Sequence, residues 1–478
     1  MGTVFLAEPI LRPAKEPPLQ REFQQATGQA YSQARHKLFP HLQGRSLAHK
    51  TYRLCRFCTV LTRRIGMPTL RAAMSTHAGV GFSEQSHSDK AAIEATRAAL
   101  AEARTDRCDL AMLFHTAKHD PSTFHRAVRS VVGPQTRLIG GYAGGIITRN
   151  HLGYDGYQCG VAVLQSDTVA ADLFVEYRLN ERGEHEVGRA LGSQIRHRGY
   201  DVHAGLLYMY DSVKRFSPVG GFDMNIATYL VQGMAETIGG WPNAAGMGMI
   251  GNIQFNPTFQ YFDDQVNQQT AMAIVFHGPC RLDTIIMHGC RPASGYHTVT
   301  RADRNVVLEI DGRPALDVIA KILGPESDRG WEDYPLFVTL GVNKGDKFGD
   351  YDDEAYANRL CMAIDRERRG LVMFEPDLTP GTEIQLMRRS IDFEYIHSRA
   401  RRLYGELGDR TPFLGIYIDC MGRAGSYCGS AGEEGTEIQK AIGSHMPLLG
   451  MYTGVEIGNV AGRQQPLDWS GVLCVFSE

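Results

Sequence analysis

Five apolar residues run unbroken from Leu110 to Phe114, a length and texture that fit a strand buried on both faces. The texture returns at Gly205–Tyr210 and at Phe413–Ile418. Each run leads into the same succession: a helix, a strand punctuated by glycine, and a closing apolar strand. After the first run, Asp120-Pro121 predicts a helix start, because Asp accepts the free N–H groups and Pro fits the first turn. Gly133 ends that helix, Leu138–Ile146 is the glycine-rich strand, and Gly160–Leu164 closes the unit. The second unit has a helix over Asn225–Ile238, then Ala245–Asn252 and Ala271–Phe276. The third has a helix over Glu433–Ile442, then Pro447–Asn459 and Gly471–Phe476. The likeness is one of pattern rather than identity, so it predicts a repeated supersecondary unit and no solenoid.

Other stretches complete the outline. Ala78–Phe82 reads as a strand, and a helix follows from Ser88 or Asp89 to about Arg104. Its Ala92, Ala95, Ala99 and Ala103 make a face for close packing. The segment Asn180–Gly199 reads as a polar connector. Past Gly278–Pro292 the pattern changes. Tyr296–Thr300 and Asn305–Ile310 form a hairpin, Pro314 opens a helix stopped by Gly324, and Pro335–Leu340 is a strand. Leu360–Ile364, Gly370–Phe374 and Glu383–Leu386 read as antiparallel strands, and a helix through Phe393, Ile396, Ala400 and Leu403 precedes the third unit. The fold class is α+β, with mixed, largely antiparallel sheets flanked by helices and a repeated strand-helix-strand-strand unit. The expected domains are an extension over 1–73, a first domain over 74–278 and a second over 279–478.

Charge separates the extension from the rest. Residues 1–73 carry twelve Lys/Arg against three Glu, a balance of +9, which leaves 38 basic and 50 acidic side chains elsewhere. The whole chain sums to −3, so no general nucleic-acid affinity follows. The extension has no clear period and reads as a poorly ordered arm or leader, with the working chain starting near Met67 or Met74. Ten cysteines lie scattered, several in apolar runs (Cys159, Cys361, Cys474), which fits a reducing, cytoplasmic setting. Cys55 and Cys58 have zinc-like spacing without a second ligand pair. No apolar run is long enough to span a membrane.

The chemistry gathers at strand ends. Asp419, Cys420 and Arg423 follow one buried strand and Glu456 follows another. An arginine there holds a carboxylate and a glutamate holds an amine, a pairing suited to an amino-acid-like ligand. The blander alternative is a structural Arg423–Glu456 pair that closes the turn. Cys420 as a nucleophile requires a depressed thiol pKa and a nearby base.

In order along the chain stand His288-Gly-Cys-Arg291-Pro292, Glu309-Ile-Asp-Gly-Arg-Pro314, Asp419-Cys-Met-Gly-Arg423 and Tyr452-Thr-Gly-Val-Glu456. This set resembles the FIST C-terminal domain, and Gly140-Gly-Tyr-Ala-Gly144 after the Leu110 strand resembles the FIST N-terminal domain. The resemblance spans Met74 to the C-terminus. It implies an intracellular sensory protein without catalysis that binds a small ligand and signals to a separate partner, such as a histidine kinase or a cyclic-dinucleotide enzyme. It adds Tyr452 and Arg291 to the ligand contacts. It also implies an alternative, a haem-based nitric oxide sensor, with His288, His115, His119 and His297 as axial candidates. A Cys420-dependent hydrolase or transferase is a further alternative. Val455 stands where the family commonly has glycine, so the backbone beside Glu456 is shaped differently.

Overall fold

The computed structural model describes residues 76–478 apart from 202, 218–220, 325–329, 336 and 391. The expected extension, with Cys55 and Cys58, lies outside the described residues.

Three units follow one plan. The first contains β1 (Thr76–Ser83), α1 (Ser88–Ala103), β2 (Leu110–His115), α2 (Pro121–Val132), β3 (Arg137–Tyr142), β4 (Gly145–Thr148), β5 (Leu152–Tyr154) and β6 (Cys159–Ser166). The second contains β7 (Ala170–Glu176), α3 (Leu179–Arg182), α4 (Glu184–Arg198), β8 (Gly205–Asp211), β9 (Val213–Ser217), β10 (Gly221–Met224), α5 (Ala227–Thr237), β11 (Asn243–Met249), β12 (Gln260–Phe262), β13 (Gln265–Asn267) and β14 (Ala271–His277). The third opens with β15 (Arg281–Met287) and is interrupted by an insertion. The inserted elements are β16 (Arg291–Pro292), β17 (His297–Asp303), β18 (Val306–Ile310), β19 (Arg313–Pro314), α6 (Ala315–Leu323), β20 (Thr339–Asn343), β21 (Tyr356–Asp365), β22 (Gly370–Met373) and β23 (Glu383–Arg388). The unit then resumes with α7 (Phe393–Gly405), β24 (Pro412–Cys420), α8 (Gly425–Cys428), α9 (Glu434–Ile442), β25 (Leu448–Thr453), β26 (Val455–Val460), β27 (Arg463–Leu467) and β28 (Gly471–Ser477).

Each unit builds a six-stranded sheet around one parallel pair: β2 with β3, β8 with β11, β24 with β25. Each unit also gives away a hairpin. The β4–β5 hairpin of the first unit extends the third sheet beside β25. The β12–β13 hairpin of the second extends the first sheet beside β3. The β26–β27 hairpin of the third extends the second sheet beside β11. The exchange is cyclic, so no unit completes its own sheet. Strands from both sides of residue 278 therefore share two of the three sheets.

The glycine-rich stretches mark the crossings. Leu138–Ile146 is two strands rather than the single strand expected, and so is Leu448–Asn459. The chain leaves β3 through Ala143-Gly144 and leaves β25 through Gly454. Space is the reason for glycine here: a Cβ on Gly144 would lie 2.6 Å from Met421 Sδ, and one on Gly454 2.7 Å from Ile250 Cγ2.

Side-chain alternation sorts the core. Leu110, Met112 and Phe114 face a central cluster shared with Leu207, Met209, Ile416 and Ile418. Ala111 and Leu113 face the opposite way, onto α1 and α2. Tyr208 and Tyr210 likewise join the outer cluster, under α4 and α5. The three sheets thus enclose one inner core, and helices cover them outside. The connector expected over Asn180–Gly199 is instead largely helix α4, whose Val187, Leu191 and Ile195 make a buried stripe. In the insertion, β23 pairs with both β17 and β20 and closes a small barrel around its own core. The strand expected over Pro335–Leu340 begins only at Thr339. No helix among the described residues is long and apolar enough to cross a membrane.

Candidate functional site

The parallel register of β24 and β25 sets Asp419 beside Tyr452 and Cys420 beside Thr453. A single 3-10 turn, Met421–Arg423, then folds the arginine back beneath the strand ends. Arg423 is 3% exposed. One terminal nitrogen donates to the carbonyl of His288 at 3.0 Å and to that of Trp469 at 2.9 Å. The other binds the Glu434 carboxylate, and Nε lies 3.4 Å from Asp419 Oδ1. One guanidinium therefore ties together the end of β15, the turn between β27 and β28, the start of α9, and β24.

Burial drives the electrostatics. It pushes Asp419 well above the ordinary carboxyl range against the pull of Arg423, and it raises Glu434 as well. Glu456 is fully buried and pushed well up; it accepts from Thr453 Oγ1 at 2.9 Å and from the Ser470 N–H at 3.4 Å. Glu456 and Arg423 do not bind each other. The closing pair is Arg423 with Glu434 and Asp419, so the expected Arg423–Glu456 bridge is absent. Arg423 has no edge open to a carboxylate from outside. Cys420 is buried, and burial with the Glu456 carboxyl pushes its thiol well up, opposite to the direction a thiolate nucleophile needs. The Tyr452 hydroxyl donates to Glu433 Oε2 at 3.1 Å. Arg291 stands apart from this cluster: it is exposed, and its guanidinium lies 4.6 Å over the Tyr351 ring.

The histidines are engaged. His288 Nε2 donates to the Asp353 carbonyl at 2.8 Å and Nδ1 accepts from the Cys290 N–H at 3.0 Å; burial lowers its pKa to about 4. His115 binds the Thr116 carbonyl at 2.8 Å through one nitrogen and the Tyr261 hydroxyl through the other. Burial lowers it to about 3. His119 binds the Tyr157 carbonyl at 2.8 Å and Ser88 Oγ at 3.3 Å. His297 Nδ1 lies 2.7 Å from Asp311. An axial haem ligand needs a free nitrogen lone pair, so His288, His115 and His119 would each have to break a bond to supply one.

The insertion contributes groups that the sequence reading missed. Arg359, fully buried, grips Asp377 through two 2.6 Å bonds and donates to the Pro466 carbonyl at 2.8 Å. Asp468 accepts the Leu360 N–H at 2.8 Å, and burial raises it to about 6. Asp211, at the end of β8, is also buried and raised to about 6, despite bonds from Thr258 at 2.6 Å and the Gln269 N–H at 3.0 Å. Several buried polar atoms here have no hydrogen bond among the described residues: Tyr417 Oη, Asp419 Oδ1, Arg423 Nε and Asp468 Oδ1. A buried acid after an apolar run was the available signal for Asp211; Asp468 carries none beyond its place between strands.

A cleft of about 410 Å³ opens where the barrel meets the three-unit core. Thr284 and Ile286 of β15 form one wall, the Asn459–Gly462 turn another, and Asp352, Glu354 and Ala355 the third. None of Asp419, Cys420, Arg423, Tyr452, Glu456 and Arg291 lines it. Its acidic wall is joined to the buried cluster. Asp353 offers its carbonyl to His288 and its carboxylate to Tyr395 and Arg399, while the His288 carbonyl receives Arg423.

The FIST N domain matches residues 109–313 and the FIST C domain matches residues 315–459. The chain belongs to the FIST family. FIST domains are a family of sensory and signalling domains inferred from sequence. The junction between the two FIST matches falls inside the barrel, at the start of α6. An uncharacterized protein of Methanocaldococcus jannaschii is 26% identical over 187 residues, covering 35% of this chain and 33% of its own. One from Mycobacterium tuberculosis is 27% identical over 207 residues, covering 40% and 50%. One from Mycobacterium bovis is 25% identical over 201 residues, also covering 40% and 50%. The chain spans half or less of the length of these relatives. A crystal structure of cyanuric acid hydrolase from A. caulinodans aligns with 43% of this chain and 71% of its own at 10% identity. Its TM-score is 0.24, too weak a likeness to define a shared fold.

Proposed function

We propose that this FIST protein is a non-catalytic sensor that binds a small, amine-bearing ligand in the cleft between barrel and core and reports occupancy to a separate signalling protein. One observation carries the reading. The cleft wall at Asp352–Ala355 is continuous, through Asp353 and His288, with the Arg423 cluster that holds β15, β24 and α9 together. A ligand that moves this wall has a bonded route into the core. Asp352 sets the chemistry, since a carboxylate lining a cleft favours donors and positive charge, whereas the Glu354 carboxylate is already held by Arg399 at 2.7 Å and Arg402 at 2.5 Å. This moves the amine-recognition role from Glu456, which is sealed, to the cleft.

The test begins with mass spectrometry of what the full chain carries from its host. Thermal-shift and calorimetric titration with amino acids and polyamines follow. A saturable shift with at least one amine, lost in Asp352→Asn, supports the reading. Saturable binding that Asp352→Asn leaves intact would reject this cleft. The coupling is read by hydrogen exchange, with protection expected at 286–290 and 419–423 on binding.

A further inference from the structure

Buried polar groups fasten the barrel to the three-unit core, and their charges do not balance. Arg359 is spent on Asp377, and Arg423 on Glu434 and Asp419. Glu375, Glu456 and Asp468 are buried as deeply, yet none of them has an ion pair among the described residues. A carboxylate in such a place needs a countercharge or a proton. Two of the three are neighbours. Burial, and after it the Asp468 charge, pushes Glu375 up; burial, and after it Glu375 and Asp468, pushes the Tyr210 hydroxyl well up. Both carboxyls therefore stand close to that hydroxyl.

Two of these donors have nothing to bind. Tyr210 is 0% exposed and Asp468 3%, and neither Tyr210 Oη nor Asp468 Oδ1 has a hydrogen bond among the described residues. Each group is nonetheless held firmly from behind. Asp468 Oδ2 takes the Leu360 N–H at 2.8 Å. The Glu375 oxygens take the Ala227 and Thr228 N–H groups at 3.2 and 2.9 Å. The Tyr210 ring lies over Gly248, where a Cβ would come within 2.9 Å of Oη. The three come from distant parts of the chain: β8 of the second unit, the barrel just after β22, and the turn between β27 and β28.

We propose that Glu375, Asp468 and Tyr210 bind an alkali cation, sodium or potassium, that fastens the barrel to the core. Oxygen donors alone select a hard ion. Calcium takes six to eight oxygens, more than this set supplies. A single charge also fits the electrostatics, because part of the countercharge is already present. The α5 N-terminus faces Glu375, and the Arg359 charge acts on both carboxyls. None of the three residues lines the acidic cleft, so the site stands whether or not an amine binds there.

The experiment follows the thermal midpoint of the full chain as choline chloride is replaced by sodium or potassium chloride at constant ionic strength, with calcium and magnesium as separate arms. Choline is too large for the site and carries the general salt effect alone. A saturable rise with sodium or potassium is expected, and the lower half-saturating concentration identifies the ion selected. Tyr210→Phe keeps the ring and removes one donor, so it should raise that concentration about tenfold. Asp468→Asn should abolish the rise; if that variant does not fold, Tyr210→Phe alone decides. Equal midpoints in choline, sodium and potassium would mean that Glu375 and Asp468 share a proton instead, and would overturn the inference. A rise unaltered in Tyr210→Phe, or one given by calcium or magnesium only, would overturn it too.

Discussion

The Glu375 carboxylate accepts the Thr228 N–H at 2.9 Å, so a residue of the inserted barrel caps a helix of the second unit. The Ala227 N–H binds the same side chain at 3.2 Å. A helix N-terminus ordinarily favours an ionised acid. Here burial and the neighbouring Asp468 win, and Glu375 is pushed up to about 8.

That shift fixes a pH dependence. A group whose folded pKa lies above its unfolded value contributes stability that is fully present below the unfolded pKa, near 4.5 for Glu375. The contribution is lost as pH rises toward 8. Asp468 and Asp211, raised to about 6, have finished their share by then. Glu375→Gln should therefore flatten the decline between about pH 6 and 8, a difference on the order of 2–3 kcal/mol. Urea midpoints across this range for wild type and variant provide the measurement, and parallel curves would contradict the assignment.

The packing of α4 on α5 gives a second prediction. Gly188 and Gly192 face α5, and Gly233 faces α4. A Cβ on Gly188 would fall onto the Leu230 carbonyl oxygen, and one on Gly233 onto that of His185. Both obstacles are backbone, which cannot rotate aside. Gly188→Ala and Gly233→Ala should each cost about 2–3 kcal/mol, despite the better helix propensity of alanine. A thermal scan showing either variant as stable as wild type would mean the helices sit further apart.

The same glycines explain what the sequence hid. Val187, Leu191 and Ile195 have helical spacing, but Gly188 and Gly192 beside them read as loop, because intrinsic propensity is silent about a close-packed partner. The strand-helix-strand core of each unit was legible, since Leu110–Phe114 and its counterparts are buried on both faces and bounded by clear caps. The hairpin exchange was not. A strand's own pattern does not name the sheet it joins, and Gly144 reads alike whether the chain bends or crosses. In the site, the polar groups at the ends of β24 and β25 were legible by position. Their partners were not, because Glu434 and Trp469 reach Arg423 through tertiary folding alone.

Cys420 gives a prediction about reactivity. Its burial and the adjacent Glu456 keep the thiol protonated. Among the described cysteines Cys428 alone is partly exposed. Native-state labelling with a thiol reagent, read by peptide mass spectrometry, should modify Cys428 well before Cys420, and Cys420→Ala should leave ligand affinity nearly unchanged. Rapid labelling of Cys420 at neutral pH would reopen the nucleophile reading.

Arg423 joins fold stability to the proposed coupling. Removing its guanidinium leaves Glu434 and Asp419 without a cation and strips hydrogen bonds from the His288 and Trp469 carbonyls. Arg423→Met should cost about 3–5 kcal/mol, the range for breaking a buried pair from one side. Glu434→Gln in the same chain takes away one of the two orphaned carboxylates, so the double variant should regain a substantial part of the loss. The cycle of urea denaturation measurements on the wild type, both single variants and the double variant isolates that coupling. Additive losses would mean that Arg423 is neutralised chiefly by Asp419. A large positive coupling together with abolished ligand-induced protection at 286–290 would place this one guanidinium on the route from cleft to core.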